Sequence, residues 1–306
     1  MFGIGLAALS AVVLGVGAWL YTPDKPRAAL EAAYAAPPSE FVEIAGLRVH
    51  LRDTGPRDAP AVILLHGFGS SLHTWDRWAD MLQADHRVVR YDQPGFGLTG
   101  GDPTGDYSDT RGVAILLGVM DRLGIAKASV VGNSMGGRIA WTFAAMHPGH
   151  VAKLVLMAPD GFASPGLAYG VAPKLPWMMR LLPIVLPAPL LRASLAPAYG
   201  DRSVMTADLL ARYRDMMLAP GVRQAILDRF PQTILVDPEP LLRRIKAPTL
   251  LMWGDKDAMV PIRNAADYLR DIKGAVLATF PGEGHLLMEE RPRETIRTLQ
   301  AFLKQP

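Results

Sequence analysis

The chain has 306 residues, half of them hydrophobic, a formal net charge of +3 and no cysteine. That length allows one large domain, or a domain with an insertion, and a sizeable core. The lack of cysteine excludes disulfides and thiolate metal sites. The small charge, without a Lys/Arg block, gives nucleic acid no electrostatic footprint.

Residues 2–20 carry no charged side chain. A helix of that length, at ~1.5 Å per residue, reaches about 28 Å, near the hydrocarbon thickness of a bilayer. Trp19 and Tyr21 fall where interfacial aromatic residues sit. No Lys or Arg precedes the run, and the nearest small-x-small cleavage pattern, Ala33-Tyr34-Ala35, lies well past its end. We therefore expect an uncleaved single-pass membrane anchor over residues 1–21 rather than a signal peptide. Asp24 offsets Lys25 and Arg27, which leaves the orientation of that anchor open. Pro23, Pro26, Pro37 and Pro38 mark residues 22–38 as a linker.

From Phe41 onward, short strands alternate with helices, the pattern of a mostly parallel sheet covered on both faces. Residues 41–44 and 47–51 flank an Ala45-Gly46 turn and read as an opening hairpin. Buried strands are expected over 61–65, 87–91, 128–132, 153–157, 249–253 and 275–280. Helices are expected around 75–82, 109–123, 134–147, 262–272 and 292–304. Between Phe162 and about Pro240 the alternation stops, in a segment rich in Pro, Met, Leu and Arg. The expected organisation is a core of 39–161 and 241–306 with a helical cap over 162–240.

Within the core, Val130-Val131 ends a strand and Gly132-Asn133-Ser134-Met135-Gly136-Gly137 follows it. Ile139, Ala140, Phe143 and Ala144 then recur at helical spacing. Strand, tight turn and helix are the context of a nucleophile elbow, in which a serine sits strained at a helix N-terminus. Serine is a weak nucleophile and needs a base, itself oriented by a carboxylate. Of seven histidines, His285 is singled out, because it follows the last expected strand in Phe280-Pro281-Gly282-Glu283-Gly284-His285. Asp255 and Asp257 both follow the 249–253 strand and are both candidates for the carboxylate, with Asp160 a fallback. Leu64-Leu65-His66-Gly67-Phe68-Gly69 closes an early strand. The backbone N–H groups of Phe68 and Met135 are assigned to an oxyanion hole, and the His66 imidazole to bracing that loop. Asp92 reads as a turn-forming residue.

Taken together, His66-Gly67-Phe68-Gly69, Asp92-x-Pro94-Gly95-x-Gly97, the elbow, Gly254-x-x-Asp257 with Pro261, and Gly284-His285 resemble an α/β-hydrolase of the serine esterase/lipase type. The resemblance spans about residues 40–306, and it favours Asp257 over Asp255. It implies a Ser134-Asp257-His285 triad, in the chain order that the fold imposes. It also implies hydrolysis of a lipophilic carboxylic ester through an acyl-enzyme. No metal or cofactor is implied, and the partners are a small-molecule ester and the membrane.

Membrane-anchored monoacylglycerol lipases and bacterial carboxylesterases carry a similar elbow and loop. So do hydrolases that cleave carbon–carbon bonds in aromatic ring-fission products, although those usually have a Gly-Pro-Gly loop and a Trp after the histidine. Here Phe68-Gly69-Ser70 and Leu286 stand in those places. A non-catalytic binding protein of this fold is the reading from another class. The Met- and Leu-rich cap, with Met205, Met216 and Met217, suits either packing onto the core or a mouth for acyl chains.

Overall fold

A computed structural model describes residues 20–163 and 168–305. The anchor expected over 1–21 lies almost wholly outside the described residues. Among those described, no helix is long and apolar enough to cross a membrane.

Eight strands form one sheet: β1 (Ser39–Ile44), β2 (Leu47–Thr54), β3 (Ala61–Leu65), β4 (Arg87–Tyr91), β5 (Ala128–Asn133), β6 (Val151–Met157), β7 (Thr249–Gly254) and β8 (Val276–Phe280). Their spatial order is β1-β2-β4-β3-β5-β6-β7-β8. The β1–β2 pair and the β2–β4 pair are antiparallel, and every later pairing is parallel. The opening hairpin turns through Ala45 (φ 49°) and Gly46 (φ 79°), both positive, the form that matches strand twist.

The central strands are continuous apolar runs because both of their faces are covered. Ile63, Leu65 and Val130 pack on one face against α3 (Asp109–Arg122) and α4 (Met135–Met146). Val62, Leu64 and Val131 pack on the other against α2 (Asp76–Leu82) and α11 (Pro292–Lys304). The alternation of neighbouring residues between two cores is the two-residue period of a strand made visible. Helix α3 is capped by Ser108, whose side chain accepts from the Arg111 N–H. In α11 the buried residues Thr295, Ile296, Leu299 and Phe302 form one stripe.

Three expectations are modified. The last strand was expected to be buried, but β8 is an edge strand and its Val276 and Leu277 are exposed. The helix expected over 262–272 splits into a 3-10 turn, Ile262–Asn264, and α9 (Ala265–Asp271). The span read as a linker contains α1 (Arg27–Tyr34). Between its prolines lie good helix formers, Arg-Ala-Ala-Leu-Glu-Ala-Ala, and side chains tie the segment down. Lys25 Nζ is 2.6 Å from Asp215 Oδ1, Arg48 Nη1 is 2.7 Å from Glu31 Oε1, and Arg27 donates to Leu98 O.

Between β6 and β7 the described residues form helices and turns. They comprise a 3-10 turn at Trp177–Leu181, α5 (Ala188–Leu195), α6 (Ala207–Met217), α7 (Val222–Arg229) and α8 (Glu239–Leu242). This excursion is seated over the C-terminal ends of the parallel strands. Ala198 O accepts from the His285 N–H (2.8 Å), and Arg229 donates to Pro94 O (2.7 Å). Met216, Val222 and Ile226 bury against Met135 and Phe96.

Candidate active site

Ser134 lies between the end of β5 and the start of α4 with φ 53° and ψ −120°, a conformation few side-chain-bearing residues adopt. Holding it there costs of the order of 1–3 kcal/mol. The surrounding backbone enforces the turn: Ser134 N–H donates to Met157 O, and Ser134 O accepts from both Arg138 and Asp160 N–H, all at 3.0 Å. The flanking glycines are required by close approach. A Cβ on Gly132 would fall 2.3 Å from Gly136 O, and one on Gly136 would fall 2.4 Å from Leu65 O.

His285 follows β8, and its Nδ1 is 2.7 Å from Asp257 Oδ2. Both side chains are buried. The carboxylate is fixed in turn, because Asp257 Oδ1 accepts from Met259 and Val260 N–H at 2.8 Å each. With a carboxylate on Nδ1, that nitrogen carries the proton and Nε2 is left as the acceptor, as a general base requires. Asp255, the other candidate, accepts from Gly282 N–H (2.7 Å) and so staples the histidine loop without touching the imidazole. Asp160 faces Arg138 at 3.5 Å.

Asn133 joins the two halves. Its Nδ2 donates to Met157 O (3.2 Å) and to His285 O (3.1 Å), so the residue before the serine grips the main chain of the histidine. No hydrogen bond joins Ser134 Oγ to His285 Nε2 among the described contacts. Catalytic bonds of this kind are often long before substrate binds.

The loop after β3 comes in from the other side. A Cβ on Gly67 would lie 3.2 Å from Ser134 Cβ, so this backbone rests directly against the serine. The next residue, Phe68, has a half-exposed ring set edge-on to Phe96 at 5.4 Å. Among the described hydrogen bonds the N–H groups of Phe68 and Met135 are spent on no acceptor. His66 braces the loop: its Nδ1 is 2.8 Å from Gly67 O, and the Gln93 N–H donates to its Nε2 (2.9 Å). Those partners fix the neutral Nδ1–H tautomer, and burial lowers the imidazole pKa in agreement.

Asp92 has a larger role than a local turn. It is fully buried, 2.8 Å from His50 Nδ1, and accepts from the Leu72 and Leu98 N–H groups at 2.7 Å each. Burial raises its pKa, but His50, His73 and His66 outweigh it and hold the carboxyl down at about 2. Sequence reasoning missed this hub; the visible signal was an acid placed directly after a strand expected to be buried. Met205 and Met216 are buried, as packing onto the core requires.

Residues 60–292 match the profile of the alpha/beta hydrolase fold. The chain belongs to the α/β-hydrolase family. This α/β-hydrolase is 33% identical over 272 residues, 84% of its length and 91% of the relative's, to a 2-hydroxy-6-oxononadienedioate/2-hydroxy-6-oxononatrienedioate hydrolase of Burkholderia vietnamiensis. Among solved structures it is similar to a bacterial membrane phospholipase A described as a virulence factor (TM-score 0.73, 28% identity, 99% of this chain and 97% of that one). It is also similar to the meta-cleavage product hydrolase CumD of Pseudomonas fluorescens IP01 (TM-score 0.74, 26% identity, 86% and 97%). Its family makes it a hydrolase.

Proposed function

We propose that this hydrolase cleaves lipophilic carboxylic esters by two-step acyl transfer from Ser134. The observation that carries the chemistry is the His285–Asp257 pair at 2.7 Å, held by Asn133 beside a serine in a positive-φ turn. In this reading His285 Nε2 takes the Ser134 proton as Oγ attacks the ester carbonyl. The Phe68 and Met135 N–H groups receive the oxyanion, and the imidazolium protonates the departing alcohol. Water, deprotonated by the same imidazole, then releases the acid, while Asp257 holds the tautomer and stabilises the cation. Residues 162–240 act as a cap over this site, and residues 1–21 hold the enzyme at a membrane. The likeness to a membrane phospholipase, which runs over nearly the whole chain, supports the membrane assignment.

A second reading, hydrolysis of a carbon–carbon bond in a ring-fission product, is favoured by the names of relatives similar in sequence. Against the dicarboxylic substrates of that class stands their charge. A dienedioate carries two carboxylates, and three guanidiniums of the excursion that could meet them already have partners. Arg223 is paired with Asp24, Arg229 is spent on Pro94 and Tyr107 carbonyls, and Arg212 is paired with Glu289.

The test is a substrate panel of p-nitrophenyl esters of increasing acyl length, monoacylglycerols, lysophospholipids and a vinylogous 1,5-diketone acid. Ester turnover rising with acyl length supports the proposal; preference for the diketone acid transfers the site to the second reading. Ser134→Ala should lower kcat by about 10⁴–10⁶ without unfolding the protein. Near-full activity in that variant removes Ser134 from its role.

A further inference from the structure

The stretch from Gly161 to Gly200 contains no Asp or Glu, while Lys174, Arg180 and Arg192 lie within it. Its described part also carries several of the most exposed large apolar side chains of the molecule. Trp177 is 75% exposed, Leu190 63% and Met178 62%, with Leu181 and Ile184 about half exposed. Side chains of this size on a water-facing surface oppose the ordinary partition of residues, and a contiguous set of them marks a contact surface. The three cations are also exposed, interspersed among the apolar groups.

The N-terminal chain leaves the folded part beside this surface. Thr22 N–H donates to Ile184 O at 2.8 Å, and Tyr21 bridges Val185 in antiparallel fashion. Tyr21 is itself exposed, and the sequence running away from it is the uncharged stretch 2–20. A bilayer that held residues 2–20 would begin within a residue or two of Ile184.

We infer that the face formed by Trp177–Leu181, Ile184 and Leu190 is a second membrane contact, seated on the surface of a bilayer containing anionic phospholipid. Trp177 and the aliphatic side chains enter the interfacial layer, and Lys174, Arg180 and Arg192 meet the headgroup charge. The missing acids decide the occupant. A protein partner could accept any sign of charge, whereas a segment whose own charges are all positive, with neighbouring Asp24 paired to Arg223 at 2.6 Å, matches an anionic lipid surface. This inference rests on the membrane reading of residues 1–21 and extends it: the chain lies down on the bilayer by its cap instead of standing away on a stalk.

The sequence has no cysteine, so single introduced thiols report unambiguously. Full-length Trp177→Cys, Leu190→Cys and Lys273→Cys are labelled with an environment-sensitive fluorophore. They are reconstituted in phosphatidylethanolamine/phosphatidylglycerol vesicles with or without nitroxide-labelled lipid. Lys273 is exposed at the other end of the sheet, before β8, and serves as the reference. The inference expects severalfold quenching by nitroxide lipid at 177 and 190 and none at 273. Chain that floats with the vesicles but shows no quenching at 177 or 190 overturns the cap contact and leaves the anchor standing. Chain that does not float overturns both. Protection of the 177 label that grows with protein concentration in detergent, without nitroxide quenching, assigns the face to a second copy and also overturns the inference.

Discussion

At the scale of single residues, the same group behaves differently according to what its neighbours leave it. His285 has a carboxylate on one nitrogen and an open second nitrogen. His66 has both nitrogens consumed by backbone, and only the first arrangement can move a proton. His73 is a third case. Its Nε2 donates to Tyr34 O at 3.1 Å, and burial lowers its pKa from 6.5 to about 4, against the pull of Asp92 and Asp76. The unfolded chain binds the proton more tightly, so stability from this group is complete above about pH 6.5. It is lost as pH falls towards 4, by roughly 3 kcal/mol at ~1.4 kcal/mol per unit. Unfolding free energy measured against pH should therefore fall through that window in the native protein, and His73→Gln should flatten the slope. The choice between Asp255 and Asp257 also belongs here. Two residues apart on one loop, they share every local feature, and only the tertiary direction of the loop gives one the imidazole and the other Gly282.

Among the elements, the four-residue helix α10 (Leu287–Glu290), immediately after His285, does the most joining. Glu289 accepts from Thr74 Oγ1 (2.8 Å), Arg212 Nη2 (2.6 Å), and the Tyr199 and Tyr213 hydroxyls. Glu290 accepts from the Gly200 and Gly284 N–H groups at 2.7 and 2.8 Å. Together they fasten the histidine loop, the segment after β3 and the excursion into one unit. Glu289→Gln removes charge-assisted bonds from that knot and should cost about 1–3 kcal/mol. Denaturant titration checks the cost, and an unchanged midpoint refutes the role. None of this is readable in sequence, because the partners lie as far as 215 positions away. The elbow and the hairpin were legible for the opposite reason: their chemistry is confined to a few consecutive residues whose backbone demands are local. Helix α1 was hidden by its prolines, and β8 by an apolar composition that an edge strand shares with a central one.

For the molecule as a whole, the sheet and its two helical layers were recoverable from alternation alone, and the seating of the excursion was not. Much of that seating depends on the N-terminal segment. Arg223, 2% exposed, has its guanidinium 2.6 Å from Asp24 Oδ1, and Lys25 pairs with Asp215 of α6. Asp24→Asn leaves a buried cation without its counter-charge and, because Asp24 is itself partly exposed, should destabilise the protein by about 1–3 kcal/mol. Thermal unfolding of the full chain measures this, and a melting temperature equal to that of the native protein would remove the pair from the account.

Apart from one local bond to Leu20, the bonds made by residues 21–25 run to Val185, Ile184, Asp215, Leu218, Gly221 and Arg223, all in the excursion and none in the sheet. Tension applied at the amino end thus arrives first at the excursion between β6 and β7, and only through it at the strands. Under the proposed membrane attachment, a pull on residues 1–21 would therefore load the excursion before it loads the sheet.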